Sequence, residues 1–390
     1  MRTVIVGAGI AGVSLAWWLE RAGWDVLVLE QAPAFREGGY MIDFFGPGYR
    51  VADRMGLLDE LKRLRAPISS VTYVDHEGRR RSELDESSYD MIADDVISLP
   101  RGDLARTVYE HLRSQVRFGV TVDQIEEIGG GVRVTLTDGS VEHADLLVGA
   151  DGVHSRVREL VFGREERFVR YLGYHTAAFT TDNAELSARI GPRYQMLTVP
   201  GRMMGCYAMR DSVLAALFLY RSNEWDLPRD AGAALREEFA GFGWVTPEVL
   251  RALPDDLYFD QVCQVELDSW HEGRVVLLGD SCQAVSLFAG HGASLAVTAA
   301  FVLAEELQAD AEVETALGRY QDRMRPVATK TQEFGRRFIE WMAPSTRWRI
   351  LARDMFLKLA RVPVIKGMLR KSVSPDTGDV LVRPGVSPVR

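Results

Sequence analysis

The chain has 390 residues, 47% of them hydrophobic and 26% charged, and its formal net charge at pH 7 is −9. This composition is typical of a globular protein that buries a large core and divides into two or three domains, and it excludes a chain that is disordered throughout. The acidic balance argues against a nucleic-acid partner, because neutralising phosphates requires a basic surface.

The cysteine content indicates the compartment. Cys206, Cys263 and Cys282 are far apart in the sequence and form no CxxC pair. We therefore expect neither a disulfide framework nor a metal site, and a reducing cytoplasm fits best. Beyond the N-terminus, no stretch stays apolar and uncharged for long enough to span a bilayer, so we expect no membrane partner.

The first thirty residues predict a βαβ unit. Residues 2–6 (RTVIV) and 25–30 (DVLVLE) have the apolar character of buried parallel strands, and residues 10–21 between them are predicted to form a helix. The apolar N-terminus resembles a signal peptide, but three glycines interrupt it and it lacks a convincing cleavage site. A strand, a turn and a helix are the better prediction.

A glycine motif joins this first strand to the helix. In the sequence GAGIAG, Gly7 permits a tight turn, Gly9 lets the backbone approach a pyrophosphate, and Gly12 lets helix and strand pack closely. Glu30 ends the second strand and can accept hydrogen bonds from ribose hydroxyls, and an acid there disfavours the 2′-phosphate of NADP. The alternative is an ordinary tight turn that binds no ligand, but such a turn would not require a preceding strand, a following helix and an acid at the end of the next strand. The expected dinucleotide-binding residues are Gly7, Gly9, Ala11, Gly12 and Glu30.

The remainder of the chain departs from the βαβ rhythm. Residues 68–83 predict a hairpin, and four apolar runs within residues 171–220 predict an antiparallel sheet. The predicted fold class is α/β: a Rossmann-like dinucleotide-binding domain with an inserted antiparallel β-sheet substrate domain and C-terminal helices. The first domain is expected to comprise residues 1–67, 96–170 and 263–325, the inserted domain residues 68–95 and 171–262, and the C-terminal helical segment residues 326–390.

Three further motifs follow in order along the chain. They are SLPRGDL with Arg101 and Leu104, GADGVHSRVRE at residues 149–159, and RVVLLGD at residues 274–280. Together with GAGIAG they resemble the signatures of the FAD-dependent aromatic hydroxylases, the single-component flavoprotein monooxygenases with the para-hydroxybenzoate hydroxylase fold. The resemblance implies FAD as the cofactor and NAD(P)H as a transient electron donor.

The resemblance also assigns roles to residues of the second and third motifs. Arg101 resembles the arginine that contacts the ribityl-phosphate side of the flavin. Asp151 and Gly152, with Ser155 and Arg158, match the motif near the FAD pyrophosphate that also serves the nicotinamide donor. A turn-forming aspartate after a buried strand is the alternative role for Asp151.

The resemblance also assigns roles to Asp280 in the last motif and to residues outside the motifs. Asp280 resembles the aspartate that hydrogen-bonds the ribityl chain, although a turn-forming role is again the alternative. Gly290 and Gly292 match the loop that opens the last helix, whose positive N-terminus faces the flavin. Arg36 and Tyr40 lie in the loop that edges the flavin in this family.

The sequence departs from the family after the last motif. Many members continue as GDAAH with prolines and a GQG turn, whereas this chain continues as GDSCQAVSL and then has Gly290-His291-Gly292. The pattern is closer to the branch of tetracycline-inactivating and polyketide-tailoring monooxygenases. We expect His291 to lie against the flavin as a catalytic residue that tunes the flavin potential or helps proton transfer. The alternative is a helix-capping histidine without a kinetic role.

The expected chemistry follows from the resemblance. It implies that NAD(P)H reduces the flavin, that O2 adds at C4a, and that the hydroperoxide oxygenates an electron-rich substrate. We expect a bulky aromatic or polyketide-like small molecule, and hydroxylation, epoxidation and Baeyer–Villiger insertion all stay open. Because strand residues alternate, only one face of the inserted sheet can meet the ligand. The candidate substrate contacts are His175, Met196, Tyr207 and Arg210.

Other readings stay open. A flavin-dependent dehydrogenase or reductase would insert no oxygen, and a non-catalytic protein would hold flavin and bind a small molecule. Residues 347–371 are basic and amphipathic. For this segment we favour a cap packed across the two domains over a helix that lies on a membrane surface.

Overall fold

The computed structural model describes residues 1–35, 40–85, 96–286, 290–310, 312–359 and 380–383. In chain order the strands are β1 (Arg2–Val6), β2 (Asp25–Glu30), β3 (Met41–Phe45), β4 (Ser70–Val74), β5 (Arg80–Asp85), β6 (Val96–Pro100), β7 (Gln115–Phe118), β8 (Val122–Ile128), β9 (Gly131–Leu136), β10 (Val141–Ala144), β11 (Leu146–Gly149), β12 (Val169–Asp182), β13 (Arg193–Val199), β14 (Arg202–Ala208), β15 (Val213–Arg221), β16 (Tyr258–Val265), β17 (His271–Glu272) and β18 (Val275–Leu277). The helices are α1 (Ile10–Arg21), α2 (Pro47–Arg54), α3 (Leu58–Arg63), α4 (Arg101–Glu110), α5 (Arg156–Phe162), α6 (Ala184–Ile190), α7 (Ala231–Glu238), α8 (Thr246–Arg251), α9 (Asp280–Gln283), α10 (Gly292–Ala309), α11 (Val313–Met342) and α12 (Arg347–Leu359).

A six-stranded sheet forms the dinucleotide-binding domain, with the strand order β17-β18-β11-β1-β2-β7. Only β17 runs antiparallel to its neighbour, and the other neighbouring pairs are parallel. Strands β11 and β18 are short and fully buried, which is typical of a parallel sheet covered on both faces. The carboxyl ends of β1, β2, β11 and β18 therefore meet at one edge, where sheets of this kind bind ligands.

A seven-stranded sheet forms the inserted domain, with the strand order β16-β12-β15-β14-β13-β4-β5. The β4–β13 pair is parallel and the other neighbouring pairs are antiparallel. The hairpin predicted at residues 68–83 thus joins this sheet. One face packs against α6, α7 and α8, and the other packs against the end of α11 and against α12. The predicted fold class is confirmed.

Two smaller antiparallel sheets accompany these in the described residues. Strands β3 and β6 pair as an antiparallel ribbon, and β8, β9 and β10 form a three-stranded antiparallel sheet. Two expected domain boundaries fall inside elements. Strand β16 crosses residue 262 because it pairs with β12 on both sides of that point. Helix α11 crosses residue 325 and continues through Pro326.

Helix α12 is the described part of the amphipathic segment, and residues 360–371 lie outside the described residues. Its Leu357 is buried in the core of the inserted domain, so one face of the helix packs against the inserted sheet. Further along the chain, Val380 and Leu381 are buried in the core of the first domain. Within the described ranges, no helix is both long and apolar enough to cross a bilayer.

Candidate functional site

The glycine turn after β1 leaves an open cradle in front of α1. Gly7 has φ +107°, and a Cβ there would lie 2.4 Å from the Ala150 carbonyl oxygen. A Cβ on Gly12 would lie 1.9 Å from the Gly7 oxygen, so the fold itself requires both glycines. A Cβ on Gly9, in contrast, would meet no atom within 4 Å. The space in front of Gly9 is therefore available to a pyrophosphate.

The start of α1 is suited to bind an anion. Gly9 is the N-cap residue, no side chain caps it, and the first turn contains no acid. The first amide groups of the helix can therefore donate to a phosphate. The Glu30 carboxylate accepts hydrogen bonds from the N–H groups of Ala8 at 2.9 Å and Ala32 at 2.8 Å. Glu30 thus borders the same groove, and these residues fit a dinucleotide.

The RVVLLGD motif reaches this groove through a close contact. Gly279 has φ +68°, and a Cβ on it would lie 2.7 Å from the Cβ of Ala11. Ala11 therefore acts through packing, because it lets the start of α9 approach α1. Asp280 is the first residue of α9. Burial raises the pKa of Asp280, whereas the Arg101 guanidinium lowers it.

Arg101 and two tyrosines mark the place where the domains face each other. The Arg101 N–H donates to the Tyr40 carbonyl oxygen at 3.0 Å, and the guanidinium lies 6.0 Å from the centre of the Tyr40 ring. Tyr40 and then Asp280 raise the pKa of Arg101 against the effect of burial. The Tyr40 ring is 5.8 Å from the ring of Tyr258 on β16. Burial raises the pKa of both phenols, which keeps them neutral.

Asp151 lies beside the glycine turn, and its carboxylate secures the start of α5. The Ser155 hydroxyl donates to one carboxylate oxygen, and the Val157 N–H donates to the other at 3.0 Å. Burial raises the pKa of Asp151, and these hydrogen bonds oppose the shift. Gly152 follows with φ +84°. These contacts fit the structural role of Asp151, and its role near the FAD pyrophosphate stays a prediction.

His291 lies in a row of aromatic rings at the start of α10. The ring centres are 4.7 Å apart for Phe45 and His291, 5.2 Å for His291 and Phe334, and 5.4 Å for Phe334 and Phe338. His291 is the N-cap residue, but its side chain does not cap the helix. We call Phe45, His291, Phe334 and Phe338 the aromatic row. Its three phenylalanines are half-buried, and Phe338 packs against the inserted sheet.

The glycines around His291 open the helix, and one expected residue cannot be placed. Gly290 has φ +68°, a conformation that favours glycine, and Gly292 is the first residue of α10. In the first turn, the Ser294 hydroxyl oxygen accepts a hydrogen bond from the Phe45 N–H at 3.1 Å. The start of α10 is thereby joined to β3. Arg36 lies outside the described residues.

Two of the expected substrate residues share the face of the inserted sheet that is turned towards β3 and α11. The Tyr207 hydroxyl oxygen accepts a hydrogen bond from the Met41 N–H, so it joins β14 to β3. The Tyr207 ring contacts that of Tyr194 at 5.3 Å, and the Tyr194 side chain is half-buried. Met196 is buried in the core together with Ile339, so it contributes to the packing between this face and α11.

The other two expected substrate residues do not lie on this face, so the structure does not bring them together with Tyr207 and Met196. His175 is on the opposite face, with Nδ1 3.2 Å from the Tyr220 hydroxyl, because its register in β12 places it on the side of α7. Burial lowers its pKa. Arg210 follows β14 and donates to the Leu64 carbonyl oxygen at 3.1 Å and to Asp103 at 3.2 Å. It therefore tethers the two domains.

Sequence reasoning missed an ionic cluster near Tyr258. The Tyr258 hydroxyl donates to Asp260 at 3.3 Å, and Asp260 lies 3.6 Å from His154. Asp260 and then Glu165 raise the pKa of His154 to about 9, although burial acts in the opposite direction. His154 lies within GADGVHSRVRE, so its position was visible in the sequence, whereas its partners come from strand pairing and a separate turn.

Within the described ranges, no three His, Cys, Asp or Glu side chains are grouped in a way that could hold a metal ion. The three cysteines are separate buried thiols. Burial raises the pKa of the Cys263 thiol to about 12.

Comparison with known proteins gives several related findings. The sequence model of the family described as FAD binding domain matches residues 1–335. A flavin-dependent monooxygenase from an unknown prokaryotic organism is 31% identical over 347 residues, which cover 86% of this chain and 88% of the relative. The FAD-dependent monooxygenase asL4 of Sarocladium schorii is 28% identical over 429 residues, covering 99% of this chain and 96% of the relative. The crystal structure of tetracycline destructase Tet(55) has a TM-score of 0.82 at 27% identity and covers 96% of this chain and 97% of that chain.

Proposed function

The chain belongs to the FAD binding domain family of flavin-dependent monooxygenases, and from this premise we propose that it uses NAD(P)H and O2 to oxygenate a bulky aromatic or polyketide-like small molecule. The observation that supports this substrate class most directly is the aromatic row, which leads from the start of α10 to the inserted sheet. When bound, FAD would supply the redox chemistry by taking electrons from NAD(P)H and activating O2.

The residues of the first domain would hold the cofactor along its length. The open cradle at Gly9 and the amide groups of α1 would bind the pyrophosphate, and Glu30 would accept hydrogen bonds from the ribose. Arg101 and Asp280 would hold the ribityl side, since each shifts the pKa of the other and both border the groove. The start of α10, with Gly290 and Gly292, would place a positive helix end beside the flavin ring.

The substrate would lie between the aromatic row and the inserted sheet. Half-buried phenylalanine rings at Phe334 and Phe338 offer faces and edges on which a planar ring system can pack. Tyr207 would close the opposite side with a phenol that stays neutral, because burial raises its pKa. Tyr258, which is 40% exposed, would lie at the rim. Such walls exclude water from the reacting atoms. The likeness to a tetracycline destructase supports a substrate with several fused rings.

His291 is proposed to act on the flavin side of this pocket. The residue is 9% exposed, and its ring lies between Phe45 and Phe334, directly before the first turn of α10. An imidazole there can tune the flavin potential or transfer a proton near neutral pH. The test is the variant His291→Gln, which should bind FAD normally but show altered rates of flavin reduction or product formation. Unchanged rates of both steps would remove His291 from the catalytic residues.

The function as a whole is tested with purified, FAD-loaded protein. Candidate phenols and polyketides are added while NAD(P)H oxidation and O2 uptake are followed together, and products are identified by mass. A substrate should stimulate both signals, and the mass of the product should exceed that of the substrate by one oxygen atom for each oxygen inserted. NAD(P)H oxidation without O2 uptake would instead indicate a dehydrogenase, and no reduction with any ligand would indicate a binding protein.

A further inference from the structure

Helix α12 has a second apolar face, which is turned away from the protein. Trp348, Leu351, Met355 and Leu359 remain 73%, 54%, 58% and 45% exposed. Their spacing of three or four residues places them on one side of the helix, and we call these four residues the outer stripe. Large apolar side chains rarely gather on an exposed surface unless they bind something there.

Buried contacts on the other side fix the rotation of α12. Ile350 and Leu357 are buried, and the Arg353 guanidinium lies 3.8 Å from the centre of the Tyr73 ring. Asp354 is also buried and lies 3.2 Å from Arg353 and 3.0 Å from Arg81. Rolling the helix to bury the outer stripe would expose these apolar side chains and break the ion pair between Asp354 and Arg81. The outer stripe therefore stays on the surface.

Positive charge accompanies the outer stripe. Arg347, Arg349 and Lys358 are exposed, and Asp354, the sole acidic residue in the helix sequence, is buried. Arg349 pairs with Glu340 at 2.9 Å. For Arg347 and Lys358, the described parts of the chain offer no ion-pair partner. An apolar stripe with Trp and Leu, bordered by cations, is the pattern of a helix that lies in a membrane interface.

We propose that the outer stripe of α12 docks the protein on an anionic lipid surface. The apolar side chains would enter the headgroup region, while Arg347 and Lys358 would meet the lipid phosphates. A second copy fits less well, because a twofold contact through this face would bring like charges of both copies together. The net charge of −9 repels the rest of the protein from such a surface, so α12 would set the orientation. This proposal is independent of the proposed redox reaction.

The test is vesicle flotation of the FAD-loaded protein. Vesicles of phosphatidylglycerol and phosphatidylcholine should carry the protein, vesicles of phosphatidylcholine alone should carry much less, and added salt should weaken the association. The variant Arg347→Gln/Lys358→Gln should lower the partition coefficient about fivefold for each cation removed. A failure of the wild-type protein to float with the anionic vesicles would overturn the proposal.

The apolar part is tested with a matched pair of variants. Leu351→Glu/Met355→Glu should abolish flotation, whereas Val141→Glu/Leu227→Glu makes the same charge change at residues that are 47% and 38% exposed elsewhere and should lose much less. The FAD content and the melting temperature of each variant show whether it is folded. If Leu351→Glu/Met355→Glu is unfolded, Leu351→Gln/Met355→Gln is used in its place. Equal losses in the matched pair would contradict the proposal. The proposal would also be contradicted if the wild-type protein formed a dimer, did not bind vesicles, and lost the dimer in Leu351→Glu/Met355→Glu.

Discussion

The buried guanidinium of Arg158 donates a hydrogen bond of 3.0 Å to the carbonyl oxygen of Ser281, a residue 123 positions later in the chain. A second donor of the same side chain bonds the Val153 carbonyl oxygen at 2.6 Å. Arg158 lies near the end of the GADGVHSRVRE motif, and Ser281 directly follows RVVLLGD. One buried side chain therefore joins two of the motifs that border the cofactor groove.

Replacing Arg158 should loosen this junction. In Arg158→Met the buried Ser281 carbonyl and the partly buried Val153 carbonyl lose their donors, and loss of a buried donor costs about 1–3 kcal/mol. We expect a lower melting temperature and a lower ratio of bound FAD to protein, measured by thermal unfolding and flavin absorbance. The control is Arg156→Met, whose side chain is 44% exposed and pairs with Glu159. That change should stay within about 0.5 kcal/mol. Equal losses in the two variants would contradict the assigned role.

Two neighbouring tyrosines should respond oppositely to loss of the hydroxyl group. Tyr207→Phe removes the acceptor of the Met41 N–H and should lower the stability by about 1 kcal/mol. The buried Tyr194 hydroxyl has no hydrogen-bond partner in the described ranges, so Tyr194→Phe should be neutral or stabilising. Thermal unfolding of both variants measures the difference. A larger loss in Tyr194→Phe than in Tyr207→Phe would show that the contact between β14 and β3 is misassigned.

His154 should titrate far above an ordinary histidine. Its pKa is raised from 6.5 to about 9, chiefly by Asp260 and further by Glu165. A raised pKa means that the charged form is favoured in the folded state, so its stabilisation is full below pH 6.5 and disappears as the pH rises to about 9. NMR titration should find the midpoint near the upper value, and Asp260→Asn should lower it. An unchanged midpoint in Asp260→Asn would contradict the pairing.

The cofactor half of the site could be predicted because its residues are fixed by local rules. Gly7 and Gly12 are required by close backbone contacts within one turn, and Glu30 is specified by its place at the end of β2. Strand, turn and helix are neighbours in the sequence, so the motif carries its own geometry. The order of the four motifs then indicated that the first domain resumes after the inserted sheet.

The substrate half could not be predicted as well, because it depends on register between distant strands. His175 and Met196 both lie in segments predicted to be strands. The register that pairs His175 with Tyr220 places the His175 side chain on the opposite face from that of Met196. Phe334 and Phe338 lie on α11, far along the chain from the first motif, and only tertiary packing brings them to His291. The type of a residue alone does not show on which face of the sheet its side chain lies, because that depends on the strand register.

We infer that a dinucleotide pyrophosphate occupies the space in front of Gly9. The variant Gly9→Ala adds a methyl group where no protein atom lies within 4 Å, so the protein without FAD should keep its melting temperature. The control Gly12→Ala places a Cβ 1.9 Å from the Gly7 oxygen and should destabilise the protein even without FAD. The most direct measurement is the dissociation constant of FAD for Gly9→Ala. We expect weakening of at least about tenfold, whereas unchanged FAD affinity in a protein of unchanged stability would show that no pyrophosphate lies in front of Gly9.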